Sequence, residues 1–221
     1  MIGQLDASPG TGTVDEQPVF NDGEAIKDAV FGYSDSVSSR SGMRSWPEDM
    51  HRLLSGDYEA FARSMIAGAE FGLPSAAFFT LDCGSGITAE REAVLNADPG
   101  QGMVGNLARF YQDLCPVWGV DLGDAFRTGF ATDIPTLLVH GTYDVSTPYS
   151  NAQELLPAFT NSVFVTVDGG SHGALQEALG ADQVLAGATL RFLVTGELEG
   201  FPARVELAPI DWIVPGSGAG E

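Results

Sequence analysis

Two short apolar runs separated by one helix-like stretch constrain this 221-residue chain more than any other feature. "IPTLLVHG" and "SVFVTVDGG" are of strand length, apolar without alternation, and each ends in glycine. Between them "SNAQELLPAF" has the make-up of a helix. Strands that lack polar alternation need cover on both faces, and a strand–helix–strand order goes with parallel pairing. Residues 75–221 are therefore expected to be α/β. "SAAFFTLDC" reads as a further strand of this region, followed by helical "TAEREAVLNA" and "MVGNLARFYQDL". A closing helix is expected over "HGALQEALGADQVLAGATLRFLVTG", divided at Gly180, and the Pro/Gly-punctuated tail after it is expected to wrap the surface.

The chain before residue 75 has a different character. Residues 1–23 are rich in Gly, Asp, Pro and Thr without periodicity and read as an irregular lead-in. In "EAIKDAVFGY", Ala25, Ile26, Ala29, Val30 and Tyr33 recur at helical spacing. Ser45-Trp46-Pro47-Glu48 has the form of a capping-box start, and Asp57 can cap a helix through "YEAFARSMIAGAEF". Residues 24–74 are accordingly expected to form a small helical subdomain.

Composition limits the partners. With 30 acidic and 10 basic residues the net charge is −20, which disfavours phosphate backbones and anionic lipid, so no nucleic-acid partner is expected. No apolar run is long enough to span a bilayer, and residues 1–24 lack the basic and apolar segments of a signal peptide. The two cysteines, Cys83 and Cys115, form no CxxC or Cys/His cluster, so no metal site is expected. They are either one disulfide in an oxidising compartment or two buried thiols, and composition leaves both open.

Chemistry gathers where parallel strands end. After "TLLVHG" comes Asp144; after "FVTVDGG" comes His172, 28 positions later. One helical crossover between them can set the two loops side by side, so that a carboxylate meets an imidazole N–H. Residues 169–173, "GGSHG", also match G-x-S-x-G, the turn that presents a nucleophilic serine. In that arrangement the acid and then the histidine follow the serine, yet no histidine follows residue 172. Ser171 is therefore read as a loop residue, His172 as a general base and Asp144 as its acid. His140, at an apolar strand end, reads as a packed or hydrogen-bonded residue, and His51 as a surface residue.

"IPTLLVHGTYDVSTP" followed by "VTVDGGSHG" resembles the acid and histidine segments of α/β hydrolases related to proline iminopeptidase and tripeptidyl aminopeptidase. "SWPEDMHRLLSGDYEAF" is similar to their helical lid, "FFTLDC" and "LCPVWG" to the places of their paired cysteines, and "FLVTGELEGFPARVEL" to their closing segment. The likeness covers most of residues 24–208. It implies Asp144 as acid, His172 as base, a Cys83–Cys115 disulfide and hence export, no cofactor, and short peptides with a free N-terminus or small esters and amides as substrates.

The family's nucleophile elbow and oxyanion segment lie ahead of the lid, on strands that residues 1–23 are too short to supply. Within the chain the remaining candidate is Ser34 in "GYSDS", which has Ser where the second Gly belongs and follows a helical pattern; Ser85 in "CGSG" has no elbow spacing. The expected architecture is thus a helical lid followed by the C-terminal part of an α/β-hydrolase fold, with acid and base present and the nucleophile in a missing N-terminal half. The alternatives are a binding module of the same fold without catalysis, an esterase or amidase of that fold, and an enzyme built on Asp144 and His172 without serine.

Overall fold

The computed structural model describes residues 2–23, 39–59, 63, 76–101 and 108–216. In chain order the first elements are α1 (Ile2–Ala7), β1 (Gly10–Val14), β2 (Gln17–Asn21), α2 (Arg40–Met43) and α3 (Trp46–Leu54). There follow α4 (Ala76–Ser85), α5 (Ala89–Ala97), α6 (Ala108–Trp118), α7 (Asp124–Arg127), β3 (Thr136–Gly141) and α8 (Tyr149–Leu155). The last are β4 (Ser162–Asp168), α9 (Ala174–Ala181), α10 (Gln183–Thr195) and β5 (Arg204–Glu206). The chain divides into two compact units, Met1–Ser34 with Asp49–Thr128, and Asp35–Glu48 with Gly129–Glu221. A single division near residue 74 does not describe this arrangement. The helix expected over residues 24–33, Ser34 and most of the second lid helix lie outside the described residues. Among those described, no helix is long and apolar enough to cross a membrane.

In the first unit, the expectation of an irregular lead-in is corrected. Residues 2–21 form a helix and an antiparallel hairpin. Its two-residue turn, Asp15-Glu16, has positive φ at both positions (47° and 67°), the geometry that matches strand twist in tight hairpins. Glycine or asparagine normally signals such a turn, so the sequence gives little notice of it. Leu5, Val14 and Leu53 are buried here.

The expected strand "SAAFFTLDC" is a helix, α4. A short apolar run fits a strand or a packed helix equally well by periodicity. The hydroxyls of Thr80 and Ser85 donate to the carbonyls of Ala76 and Leu81, each at 2.7 Å, as helical residues can. The helix brings Phe79 and Cys83, four apart, onto one side. Phe79 meets Trp118 at a ring separation of 5.5 Å, and Cys83 is joined to Cys115 of α6 by a disulfide.

The second unit contains the parallel sheet, ordered β3-β4-β5. Register pairs Leu138 with Phe164, His140 with Thr166 and Gly141 with Val167, so β3 and β4 end level with each other. Val165 and Val167 point the same way from β4 and are fully buried against Ala174 and Ala178 of α9, Leu185 of α10 and Val205 of β5. The β-branched residues suit the pleat, and the alanines let α9 lie close to it.

The closing helix is divided, but at Asp182 rather than Gly180. The Asp182 amide ends α9 on the Ala178 carbonyl (2.8 Å), and its carboxylate accepts from the amides of Val184 and Leu185 (both 2.8 Å) to start α10. An aspartate that satisfies two otherwise unpaired amides breaks a helix more firmly than a glycine that α9 simply absorbs. Replacing Asp182 with Ala is expected to cost about 1 kcal/mol. Urea unfolding checks this, and a midpoint equal to wild type would show that the cap holds nothing.

Candidate active site

The site begins with a contact that only glycine permits. A Cβ on Gly141, the last residue of β3, would lie well inside contact distance of the Gly170 carbonyl and 2.6 Å from the Ser171 carbonyl oxygen. The loops after β3 and β4 therefore meet backbone to backbone. Thr142 donates its amide to the Val167 carbonyl (3.0 Å), Tyr143 donates to Gly170 (2.8 Å), and Gly169 returns its amide to the Thr142 hydroxyl (2.9 Å). Gly169 itself sits at φ 71°, turning the chain back over the strand ends. This lacing sets the position of the two side chains that follow.

Asp144 is buried, its side chain only 5% exposed. Its Oδ1 accepts from the amides of Ser146 (3.0 Å) and Thr147 (2.8 Å), and its Oδ2 from the Thr147 hydroxyl (2.8 Å). His172 Nδ1 approaches both oxygens, at 3.2 Å and 3.1 Å. Burial is the largest single influence on this carboxyl and pushes its pKa up. The Thr147 amide and hydroxyl, together with the hydrogen bond and charge of His172, outweigh it and hold the group below the ordinary aspartate value. These hydrogen bonds thereby favour the ionised acid against the effect of burial.

His172 differs from its partner in being open: its side chain is 51% exposed. With Nδ1 committed to Asp144, the ring is fixed in the tautomer whose Nε2 is a proton acceptor. The structure thus brings together the two residues singled out in the sequence. Ser171, the competing candidate, is fully buried. Its hydroxyl donates to Glu177 of α9, and its amide reaches the same carboxylate at 2.8 Å. It anchors the loop and has no access to a substrate. His140 is packed edge-on against Tyr149 at 5.8 Å, and His51 is exposed on α3.

Three supporting residues were not singled out from the sequence. Thr147 had a signal, since Asp followed three residues later by Thr is a side-chain-capped turn. Glu177 and Arg40 had none. Arg40, 129 positions away, donates to the carbonyls of Gly169 and Ala208 and so holds the histidine loop from outside. Among the described residues no cluster of His, Cys, Asp and Glu is arranged to hold a metal ion.

A known family model matches part of the chain. Residues 103–203 match the model of the TAP-like protein family of α/β hydrolases. This stretch is similar to the TAP-like α/β hydrolases. It contains β3, β4, Asp144 and His172, and it stops one residue before β5 begins. With the parallel three-stranded sheet and its flanking helices, the architecture is that of the C-terminal part of an α/β hydrolase. No curated protein matches the chain.

Two outcomes follow from the packing and charge of this segment. Gly141→Ala is expected to cost about 1–3 kcal/mol, because only backbone can yield to the new methyl group; a wild-type urea midpoint would refute the close approach. Because the native pKa of Asp144 is depressed, its stabilising contribution is complete above the unfolded-state value near 4 and is lost as pH falls toward the native value. Melting temperatures measured from pH 7 to pH 2 are expected to fall less steeply on the acid side in Asp144→Asn than in wild type.

Proposed function

We propose that this chain supplies the acid and base of a serine hydrolase of the proline iminopeptidase and tripeptidyl aminopeptidase type, acting on short peptides with a free N-terminus. One observation carries the reading: a buried, ionised Asp144 holds His172 by Nδ1 while the rest of the ring stays open. A structural histidine has no need of that polarity, whereas a general base does.

In the proposed reaction a serine hydroxyl attacks the scissile carbonyl and gives its proton to His172 Nε2. Asp144 stabilises the imidazolium. His172 then passes the proton to the departing amine, leaving an acyl-enzyme. A water, deprotonated by the same nitrogen, adds to the acyl carbon and releases the acid and the free serine. Small esters and amides fit the same sequence, with an alcohol or ammonia leaving in place of the peptide amine.

The nucleophile is proposed to come from a separate hydrolase half. Ser171 is committed to Glu177, and Ser34 lies in a stretch that lacks the elbow pattern. Further support comes from the sheet: among the described residues β3 pairs on one side only, and each residue from Thr136 to His140 is partly exposed, unlike a covered parallel strand. The Cys83–Cys115 bond supports an oxidising compartment, and hence export.

A fluorophosphonate probe tests the reading. The purified chain alone is expected to take no label and to associate or precipitate through its uncovered apolar faces. Joined to a polypeptide that carries a strand and G-x-S-x-G elbow, encoded in frame upstream or alongside, it is expected to label on that serine. His172→Ala is then expected to lower turnover by about four orders of magnitude. Labelling of Ser34, or hydrolysis that persists in excess probe, would sink the proposal, and a monodisperse monomer would count against the missing half.

A further inference from the structure

The loop before His172 carries two adjacent glycines, joined by one peptide unit. A Gly–Gly peptide meets few steric barriers to rotation, so hydrogen bonds decide which way it faces. Here the Gly170 amide donates to the Val167 carbonyl at 3.1 Å, and the Gly169 carbonyl, on the other side of the same unit, accepts from Arg40. The neighbouring backbone groups find their partners nearby: the Gly169 amide in Thr142, the Gly170 carbonyl in Tyr143, the Ser171 amide in Glu177 and the Ser171 carbonyl in Ala174. Of these groups, the Gly169 carbonyl alone is held by a residue from 129 positions away.

Arg40 is itself held ready for this contact. Its second terminal nitrogen donates to the carbonyl of Ala208, next to Leu207, whose amide donates to the Asp168 carbonyl at 3.2 Å. One turn further on, Arg44 donates to the carbonyl (2.8 Å) and the carboxylate (3.0 Å) of Asp211, and the Ile213 amide donates to the Arg44 carbonyl (2.9 Å). Ser39 caps α2, its hydroxyl accepting from the Gly42 amide at 3.0 Å. Residues 39–44 are thus fastened to the closing segment at Ala208, Asp211 and Ile213. All of these residues belong to the second unit, although in the chain residues 35–48 separate the two stretches of the first.

We propose that residues 39–44 form a strap on the histidine loop, in which Arg40 locks the Gly169–Gly170 peptide and so fixes His172 where it meets Asp144. This rests on the acid–base reading above and makes Arg40 a positioning residue within it, acting through the backbone. The planar fork of a guanidinium reaches two carbonyls at once, which an ammonium on a shorter stem does not match. Rotation of the unlocked peptide redirects the chain two residues before the imidazole. A displacement of about 1 Å there is large against the 3.1 Å contact between His172 and Asp144.

Hydrogen–deuterium exchange read by mass spectrometry tests the strap on the full chain and needs no catalytic activity. Arg40→Ala is expected to speed exchange of residues 169–173 by about tenfold, as loss of charge-assisted hydrogen bonds implies, with residues 163–167 of β4 unchanged. Arg40→Lys is expected to restore part of the protection. Arg44→Ala, which unties the strap but leaves the lock, is expected to raise exchange by a smaller factor. The carbon-bound ring protons of His172, assigned by His172→Gln, are expected to give one sharp set of NMR signals in wild type and to broaden or split in Arg40→Ala.

Loop exchange equal to wild type in Arg40→Ala would overturn the proposal. So would faster exchange spread evenly over β3, β4 and α9, which would reduce Arg40 to a general stabiliser, and so would His172 signals that stay as in wild type while loop exchange rises. Asp144→Asn separates this proposal from the reading it rests on, since it is expected to move the His172 signals and leave exchange at 169–171 unchanged. Ring signals indifferent to Asp144→Asn would overturn the acid–base reading, while the exchange of Arg40→Ala would still decide whether the strap holds the loop.

Discussion

The level ending of two parallel strands is what the rest of the site depends on. Because Gly141 pairs with Val167, the loops after β3 and β4 leave the sheet at the same height, and the absence of a side chain on Gly141 lets the two backbones touch. Every later feature uses that contact. The amides of Thr142 and Tyr143 are satisfied by the neighbouring loop and not by water, so the turn carrying Asp144 is fixed relative to the turn carrying His172. Directional interactions of about 3 Å between the two side chains are possible only because the error in placing their backbones has already been removed.

On that scaffold the electrostatics are set by short-range donors and not by the net charge of the chain. A chain at −20 repels an additional anion, and burial of Asp144 adds a desolvation penalty. Both act against ionisation. What reverses them is local: two amides and a hydroxyl from residues 146 and 147, with an imidazole opposite. Hydrogen bonds to a charged acceptor are strong where water is scarce, and surface charges beyond a Debye length are screened. The acidic surface and the acidic residue at the centre are thus nearly independent features of the same sequence.

How much of this could be read from the sequence follows from the range of each interaction. β3 and β4, with Asp144 and His172 just beyond them, are announced by a local pattern of an apolar run, glycine and then a titratable residue. The exclusion of Ser171 needed only the order of residues along the chain, and its burial against Glu177 supplies the physical counterpart. The hairpin at residues 10–21 has no local signature in the sequence, because Asp15 and Glu16 adopt positive φ without the usual glycine. "SAAFFTLDC" suits a strand or a helix alike, because a short and mostly apolar run carries no clear period. Arg40 was invisible for another reason: it binds carbonyl oxygens, which every residue has, so nothing in the residues near 169 or 208 marks them as its partners.

α10 extends the same reasoning from the site to the whole segment. Leu185, Ala188 and Thr189 face the sheet and are buried, yet Val184, Leu190, Leu193 and Val194 on its other sides are each more than 60% exposed. A helix apolar on all sides is the pattern of one enclosed by protein, while a helix made for a solvent boundary carries charge on its outer face. Arg191 is the one charged residue in its thirteen. The surplus of acids elsewhere does not dilute this face, since charge helps solubility through long-range repulsion while an apolar patch acts through contact. Both β3 and α10 therefore carry the composition of interior elements. On the proposed reading these are surfaces that a nucleophile-bearing half would cover, bringing its serine to His172 by the same strand-end logic that brings Asp144 there.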